Sequence, residues 1–213
     1  MIHYRYYADA PDEAIASLVA NATLARLVTV AEPGSAPHLG LYPFLRTDAG
    51  FELHLHRADE QIADLRARPV CLLEVDEVLS SIPSTWIDPS NPSFATAYHR
   101  TVAFECTATL VDDARALAEQ QNRLLASHQP GAGHQPVSAD EPAHRALLDM
   151  LVGIHLVITR TKVKMKLGQN RDFATRAEVA RRLRERGSEI DKRTADALEW
   201  TIAAGWTTDG RTR

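Results

Sequence analysis

Short runs of alternating apolar and polar residues dominate the first half of the chain. The runs at 23–31, 38–46 and 51–56 have the period-two pattern that is typical of half-buried strands. The connections at 32–37 and 47–50 are too short to contain crossover helices. The pattern therefore predicts an antiparallel meander.

Apolar runs later in the chain predict further strands, at 70–79, at roughly 100–112 and at 153–164. Residues 80–98 are rich in Pro, Ser and Asn, so we expect a long loop there. Six or so antiparallel strands with intervening helices favour a small barrel covered by helices.

Helical periodicity fills the gaps between the strands and dominates the C-terminal part. Amphipathic patterns predict helices at 11–20, 59–67, 113–128 and near 141–150. Thr175 and Glu178 have the spacing of a capping box for a helix that stops at Gly187. A last helix is predicted from about Asp191 to Ala204.

The composition is that of a globular protein, with 45% hydrophobic and 24% charged residues in 213. No apolar run approaches the roughly 20 residues of a membrane-spanning helix, and the first residues lack the pattern of a secretion signal. Cys71 and Cys106 lie in apolar strand-like runs, which favours reduced, buried thiols. We therefore expect a cytoplasmic protein without a membrane partner.

The charge is distributed unevenly along the chain. Residues 159–193 carry twelve Lys or Arg and five Asp or Glu, a balance of +7, so the remainder carries −11 against the total of −4. Such a segment suits either a polyanionic partner, such as DNA or a phosphate, or a solvated helical face with ion pairs. Its arginines suggest DNA binding as a possibility, but no motif context supports sequence-specific recognition.

Common catalytic patterns do not occur. The chain has no glycine-rich phosphate loop, no nucleophile elbow and no carboxylate pair singled out by its spacing. His54 and His56 share one face of a strand, but no third ligand is evident. The sequence therefore predicts no catalytic residue and no metal site.

Three segments, at 53–61, 82–87 and 153–171, match one known family in the right order. The last segment agrees at nine positions: Ile158, Thr159, Arg160, Lys164, Lys166, Leu167, Gln169, Asn170 and Arg171. In the first, His54, Arg57, Ala58 and Gln61 agree, and in the second Trp86 occupies the position of the family's Trp. The chain thus resembles the PaiB-like negative transcriptional regulators of the FMN-binding split-barrel superfamily.

Two segments depart from the family pattern. The family's Thr-His-x-Pro-Phe is replaced by Gly40 to Phe44, so that Leu41 stands where the His would be. The family's Thr-Trp-Asn-Tyr is replaced by Thr96 to His99. Both segments would lie near a flavin in that fold.

The resemblance implies an α+β, mainly β, split barrel of the FMN-binding type with flanking helices. Its expected extent is 1–171, and a C-terminal helical extension covers 172–213. It also implies FMN as cofactor and a homodimer with flavin sites at the subunit interface. The expected cofactor-binding residues are His54, Arg57, Trp86, Lys166, Gln169 and Asn170.

Two of these residues have a physical rationale of their own. Arg57 follows a strand and opens a helix, where a phosphate would also meet backbone N–H groups; the alternative is a surface ion pair. Trp86 could cover the flavin ring or simply pack against the barrel. Three functions remain open: an FMN-responsive regulator, a flavin-dependent oxidoreductase or haem-degrading enzyme, and a barrel that no longer binds flavin.

Overall fold

The computed structural model describes residues 5–207. Its helices are α1 (Arg5–Ala8), α2 (Asp12–Asn21), α3 (Glu60–Ala67), α4 (Ala114–His128), α5 (Pro142–Leu148), α6 (Phe173–Arg186) and α7 (Glu189–Ala203). Its strands are β1 (Leu24–Thr29), β2 (His38–Pro43), β3 (Leu45–Arg46), β4 (Gly50–His56), β5 (Val70–Ile82), β6 (Thr96–Val111) and β7 (Leu151–Lys166). Two short 3₁₀ helices, Ser84–Trp86 and Pro92–Phe94, interrupt the predicted long loop.

The chain divides into two compact units. The barrel unit comprises Val19–Val75 and Ala103–Lys162, and the described part of the helical unit comprises residues 5–18, Asp76–Val102 and residues 163–207. All seven strands belong to one sheet, whose hydrogen-bonded order is β2-β1-β5-β6-β7-β4-β3. The fold is the predicted α+β split barrel, with seven strands in place of about six.

The connection between β2 and β3 requires the sheet of the barrel unit to curve. β2 and β3 occupy opposite ends of the strand order, yet only Phe44 separates them in the chain. The sheet must therefore curl until its two edges meet at Phe44, which gives a barrel that is split at this seam. The sequence predicted one strand at 38–46, because its apolar run continues through Phe44.

The interior of the barrel unit is filled by alternate residues of its strands. Leu53 lies opposite Ile154, and Leu27 lies opposite Leu73; all four side chains are buried. The ring of Phe44 contacts that of Phe51 edge to face, with centroids 5.6 Å apart. Phe51 in turn contacts Phe104 at 4.9 Å, so the seam is anchored in the aromatic core.

In the helical unit, α6 and α7 form an antiparallel hairpin around Val179, Leu183, Ala195 and Leu198, all buried. The predicted capping box at Thr175 and Glu178 is wrong. Asp172 is the N-cap and accepts a hydrogen bond from the Thr175 N–H, so the helix begins earlier. Gly187 ends the helix in the left-handed region, as predicted, with φ at 83°.

Within residues 5–207, no helix is long and apolar enough to cross a membrane.

Replacing Phe44 with Ala should lower the free energy of unfolding by about 3–5 kcal/mol, since a buried aromatic anchor of the seam is lost. Leu147→Ala, at an exposed position on α5, should change it by no more than about 0.5 kcal/mol. Urea unfolding of both variants is the measurement. Equal effects of the two substitutions would show that Phe44 does not secure the seam.

Candidate functional site

A cavity of about 170 Å³ lies in the helical unit, at the end of β7. Its walls come from the last residue of β7, the turn that follows it, the second 3₁₀ helix and the start of β6. The polar residues that line it are Tyr7, Ser93, Thr96, Tyr98, Lys166, Asn170 and Arg171. It therefore combines two cationic groups with an amide and several hydroxyl groups.

The turn after β7 is held in place by Gln169. The Leu167 N–H donates to Gln169 Oε1, and Gln169 Nε2 donates to the Met165 carbonyl oxygen, both at 2.8 Å. Gly168 permits the turn because its φ of 76° lies in the left-handed region. Gln169 is buried, whereas the turn presents Asn170 and Arg171 to the cavity.

Arg171 and Lys166 give the cavity its positive charge. The Arg171 guanidinium carbon lies 4.1 Å from the centroid of the Phe94 ring, which fixes the side chain by a cation–π contact. No carboxylate in residues 7–207 forms an ion pair with Lys166. Burial, and then the nearby charge of Lys164, lowers the pKa of Lys166. A bound anion would counteract both effects, because an opposite charge nearby favours the charged form of the lysine.

Tyr98 and His99 lie close to these cations. Burial raises the pKa of Tyr98 above its ordinary value, so its phenol keeps its proton and can donate a hydrogen bond. Burial, followed by the charges of Lys164 and Lys166, lowers the pKa of His99. His99 Nδ1 lies 3.2 Å from Thr101 Oγ1. The nearby charge of Asp76 opposes the shift at His99, so the positive charge of the lysines is partly balanced on this side.

These residues fit the phosphate end of FMN. A phosphate monoester carries a charge of about −1.5 to −2 at neutral pH and accepts several hydrogen bonds, which matches two cations with amide and hydroxyl donors. The volume of about 170 Å³ is smaller than the roughly 300–1,000 Å³ of pockets that enclose a whole ligand. The cavity thus accommodates a phosphate group and not the entire cofactor.

The predicted site residues fall in both units. In the helical unit, Lys166 and Asn170 line the cavity and Gln169 supports its turn. Trp86 ends the first 3₁₀ helix, and its ring centroid lies 5.1 Å from the Arg186 guanidinium carbon. Of these four, only Lys166 and Asn170 share the cavity wall. Their roles in cofactor binding stay predictions.

In the barrel unit, Arg57 is bound to the segment before β7. Its Nε and Nη2 donate to the carbonyl oxygens of Asp149 and Leu151 at 3.0 and 2.9 Å, and its Nη1 pairs with Asp112. His54 lies on β4 opposite Gly153. Its Nδ1 is buried without a hydrogen-bond partner, and burial lowers its pKa. We infer that His54 is neutral at pH 7.

The predicted cofactor-binding set left out most residues that line the cavity, among them Phe94, Tyr98 and Arg171. Arg171 belongs to the family signature, so the signal for it was present. Phe94 lies in the Pro-rich loop and Tyr98 in a segment that departs from the family pattern. Their convergence on the end of β7 depends on long-range pairing that local patterns do not encode.

A second polar cluster joins α3 to the β1–β2 edge of the barrel unit. Buried Asp64 accepts a hydrogen bond from Thr29 Oγ1 at 2.6 Å and lies 2.7 Å from His38 Nδ1. Because the carboxylate accepts, Nδ1 carries the proton, and Nε2 lies 3.5 Å from Glu60 Oε2. The cluster therefore fixes the edge strand β2 to the helix.

Gln61 and Tyr42 extend this cluster. Gln61 Nε2 donates to the carbonyl oxygen of Leu27, and the Tyr42 hydroxyl donates to Gln61 Oε1 at 2.8 Å. A Cβ atom on Gly40 would lie only 2.2 Å from the Tyr42 hydroxyl oxygen. The departure from the family pattern at Gly40 thus makes room for Tyr42. Gln61, which agrees with the family pattern, therefore has a structural role here, because it links α3 to β1 and β2.

The basic charge of the C-terminal helices is largely neutralised by carboxylates. Arg181 and Arg182 pair with Glu178, and Arg181 also pairs with Glu185. Arg184 pairs with Asp196 and Glu199. Arg186 pairs with Asp191, and Arg176 is buried. The basic segment 159–193 was interpreted either as a surface for a polyanion or as a solvated helical face with ion pairs. The ion pairs of α6 support the second interpretation.

The outer face of β1 and β2 is unusually apolar for an exposed surface. Leu39 and Leu41 are 60% and 54% exposed, and Leu24 on β1 is 46% exposed. Arg26 lies opposite both Leu41 and Glu74, and it forms an ion pair with Glu74. We call this surface the leucine face. Contiguous exposed apolar residues of this kind are typical of interaction surfaces.

Residues 1–160 match the model of the family described as "Putative FMN-binding domain". The chain belongs to this family. The match ends before Lys166, Asn170 and Arg171, so these three residues of the cavity lie beyond it, whereas Phe94 and Tyr98 lie within it. No curated protein shows a significant match to the sequence.

Solved structures share the fold at low sequence identity. The flavocytochrome Anf3 from Azotobacter vinelandii has a TM-score of 0.63 and 17% identity, covering 78% of this chain and 72% of that one. The FAD- and haem-binding protein from Mycobacterium smegmatis has a TM-score of 0.58 and 16% identity, covering 74% and 72%. A conserved hypothetical protein from Mycobacterium tuberculosis has a TM-score of 0.55 and 19% identity, covering 77% and 90%. These similarities establish the split-barrel fold.

The contact of His38 with Asp64 should make stability depend on pH. The hydrogen bond to Asp64 raises the pKa of His38 above 6.5. Burial alone would raise the pKa of Asp64, but hydrogen bonds from Thr29 and His38 lower it. Protonated His38 therefore contributes fully to the free energy of unfolding below pH 6.5. This contribution is lost as the pH rises through the higher pKa that His38 has in the folded state.

Urea unfolding of the wild type and of His38→Gln between pH 5.5 and 8.5 measures this contribution. The stability difference between them should shrink as pH rises. A difference that is constant over this range would contradict the assignment.

Proposed function

We propose that the protein is a homodimeric FMN-binding regulator that holds the phosphate of FMN in the cavity at the end of β7. The observation that carries the proposal is the convergence of Lys166, Asn170 and Arg171 on one small cavity. Lys166 supplies a cation without a carboxylate partner, and Arg171 is positioned by Phe94. Bound FMN would supply one- or two-electron redox chemistry.

The regulatory part of the proposal comes from the family resemblance. FMN would regulate by binding one of two conformations more tightly than the other. The ion-paired arginines of α6 do not favour direct DNA binding by this helix. Transcript levels that stay the same after deletion of the protein would contradict the regulatory role.

Free, buried Cys71 and Cys106 support a cytoplasmic location.

The leucine face supports the homodimer. In an interface with two-fold symmetry, each contact occurs twice: if residue i of one protomer contacts residue j of its partner, then residue j of the first protomer contacts residue i of the partner. Arg26 and Glu74 could therefore pair across the two-fold axis while Leu39 and Leu41 are buried around them. A second copy of the chain would bury the apolar part of this surface, and the charged pair, which each protomer already forms internally, could exchange partners across the axis.

FMN and riboflavin distinguish recognition of the phosphate from recognition of the ring, because riboflavin lacks the phosphate. Lys166→Met and Arg171→Met should each weaken FMN binding about 10- to 100-fold, the effect of losing a hydrogen bond to a charged group. Riboflavin affinity should stay the same. Titration calorimetry with both ligands is the measurement.

Arg181→Met is the matched control, because it removes the same charge from a residue that pairs with Glu178 outside the cavity. It should leave both affinities unchanged. Equal affinity of the wild type for FMN and riboflavin would contradict the phosphate site. If Arg57→Met selectively lost FMN binding while Lys166→Met bound FMN normally, the phosphate site would be assigned to Arg57 instead.

Leu41→Glu should dissociate the dimer, because it places a carboxylate in the apolar part of the interface. Light scattering should then change from twice the chain mass of 23.5 kDa to that mass. Leu147→Glu, at an exposed position on α5, should remain dimeric. A monomeric wild type, or a Leu41→Glu variant that remains dimeric, would rule out this interface.

A further inference from the structure

The chain contains two cysteines, and the strand register places them opposite each other. Cys71 lies on β5 and Cys106 on β6, which are neighbours in the sheet. The Ala108 N–H donates to the Pro69 carbonyl oxygen at 2.7 Å, so these two residues form a directly opposed antiparallel pair. Two steps further along both strands, Cys71 therefore faces Cys106.

A second contact confirms this register. Six residues further along the same ladder, Glu77 falls opposite Arg100, and Arg100 Nε donates to Glu77 Oε2 at 2.6 Å. Burial follows the register as well, since Leu73 and its partner Phe104 are both buried. The opposition of the two cysteines thus rests on backbone and side-chain evidence.

Both thiols point into the barrel interior and are free. Cys71 is 6% exposed and Cys106 is 1% exposed. Directly opposed residues that exchange backbone hydrogen bonds have Cα atoms about 5.5 Å apart. Disulfides span Cα separations of about 4.4–6.8 Å. A regular antiparallel ladder at this position therefore gives a Cα separation within the range that a disulfide spans.

We propose that Cys71 and Cys106 form a reversible intrachain disulfide that fastens β5 to β6 when the protein is oxidised. An S–S bond forms while each thiol loses its proton. The two electrons and two protons pass to a two-electron oxidant; diamide, for example, has an N=N bond that becomes HN–NH. The proposal concerns the barrel unit and does not depend on FMN binding.

The environment of the pair makes it slow to oxidise. Burial, followed by the proximity of Cys106, raises the pKa of Cys71 to about 12, and burial raises that of Cys106 to about 11. Because the thiolate is the reacting species, oxidation at neutral pH should be slow and should accelerate with pH. The pair therefore responds to sustained or strong oxidation.

The test is treatment of the reduced full-length protein with diamide at pH 7 and pH 9, followed by peptide mapping without reduction. We expect a cross-linked peptide containing Cys71 and Cys106, formed faster at pH 9. The cross-link should raise Tm by several degrees, because it constrains the unfolded chain. Dithiothreitol should restore the original Tm.

Cys71→Ser and Cys106→Ser are matched controls that each retain one thiol, and diamide should leave the Tm of either variant unchanged. Peptide mapping of the wild-type protein tests the cross-link directly, so the test does not depend on whether either variant folds. Diamide adducts on separate cysteines, disulfides between chains, or an intrachain cross-link that lowers Tm would each overturn the proposal.

Discussion

The connection through Phe44 is the constraint on which the barrel depends. A chain that leaves β2 at one end of the strand order and enters β3 at the other end after one residue can do so only if the sheet curls. Phe44 makes the connection stable because its ring packs on Phe51 in the interior. The same geometry leaves β2 as an edge strand, which α3 secures through Asp64 and His38.

Much of this fold could be predicted from the sequence because its strands follow the period-two rule closely. The runs at 23–31 and 51–56 became β1 and β4 almost as expected. The seam was not predicted, since an apolar residue between two strands looks like part of a single strand. The start of α6 was also misplaced, because Asp172 competes with Thr175 for the N-cap and only the structure shows which side chain reaches the backbone.

The candidate site was also predictable in part, because β7 follows the same period-two rule. The alternation of Val163 to Lys166 correctly placed the lysines on one face of β7, with Val163 and Met165 buried. The structure shows that Gln169 supports the turn after β7, whereas Arg171 and Phe94 shape the cavity. Contacts between the loop before β6 and the end of β7 arise only from pairing over long stretches of chain. Local patterns cannot supply that information.

The most direct test of this account is a crystal structure of the protein with FMN. We expect the phosphate to lie within hydrogen-bonding distance of Lys166 Nζ and the Arg171 guanidinium, in the cavity that Asn170 also lines. A phosphate bound elsewhere, with this cavity filled only by water, would contradict the assignment of the site.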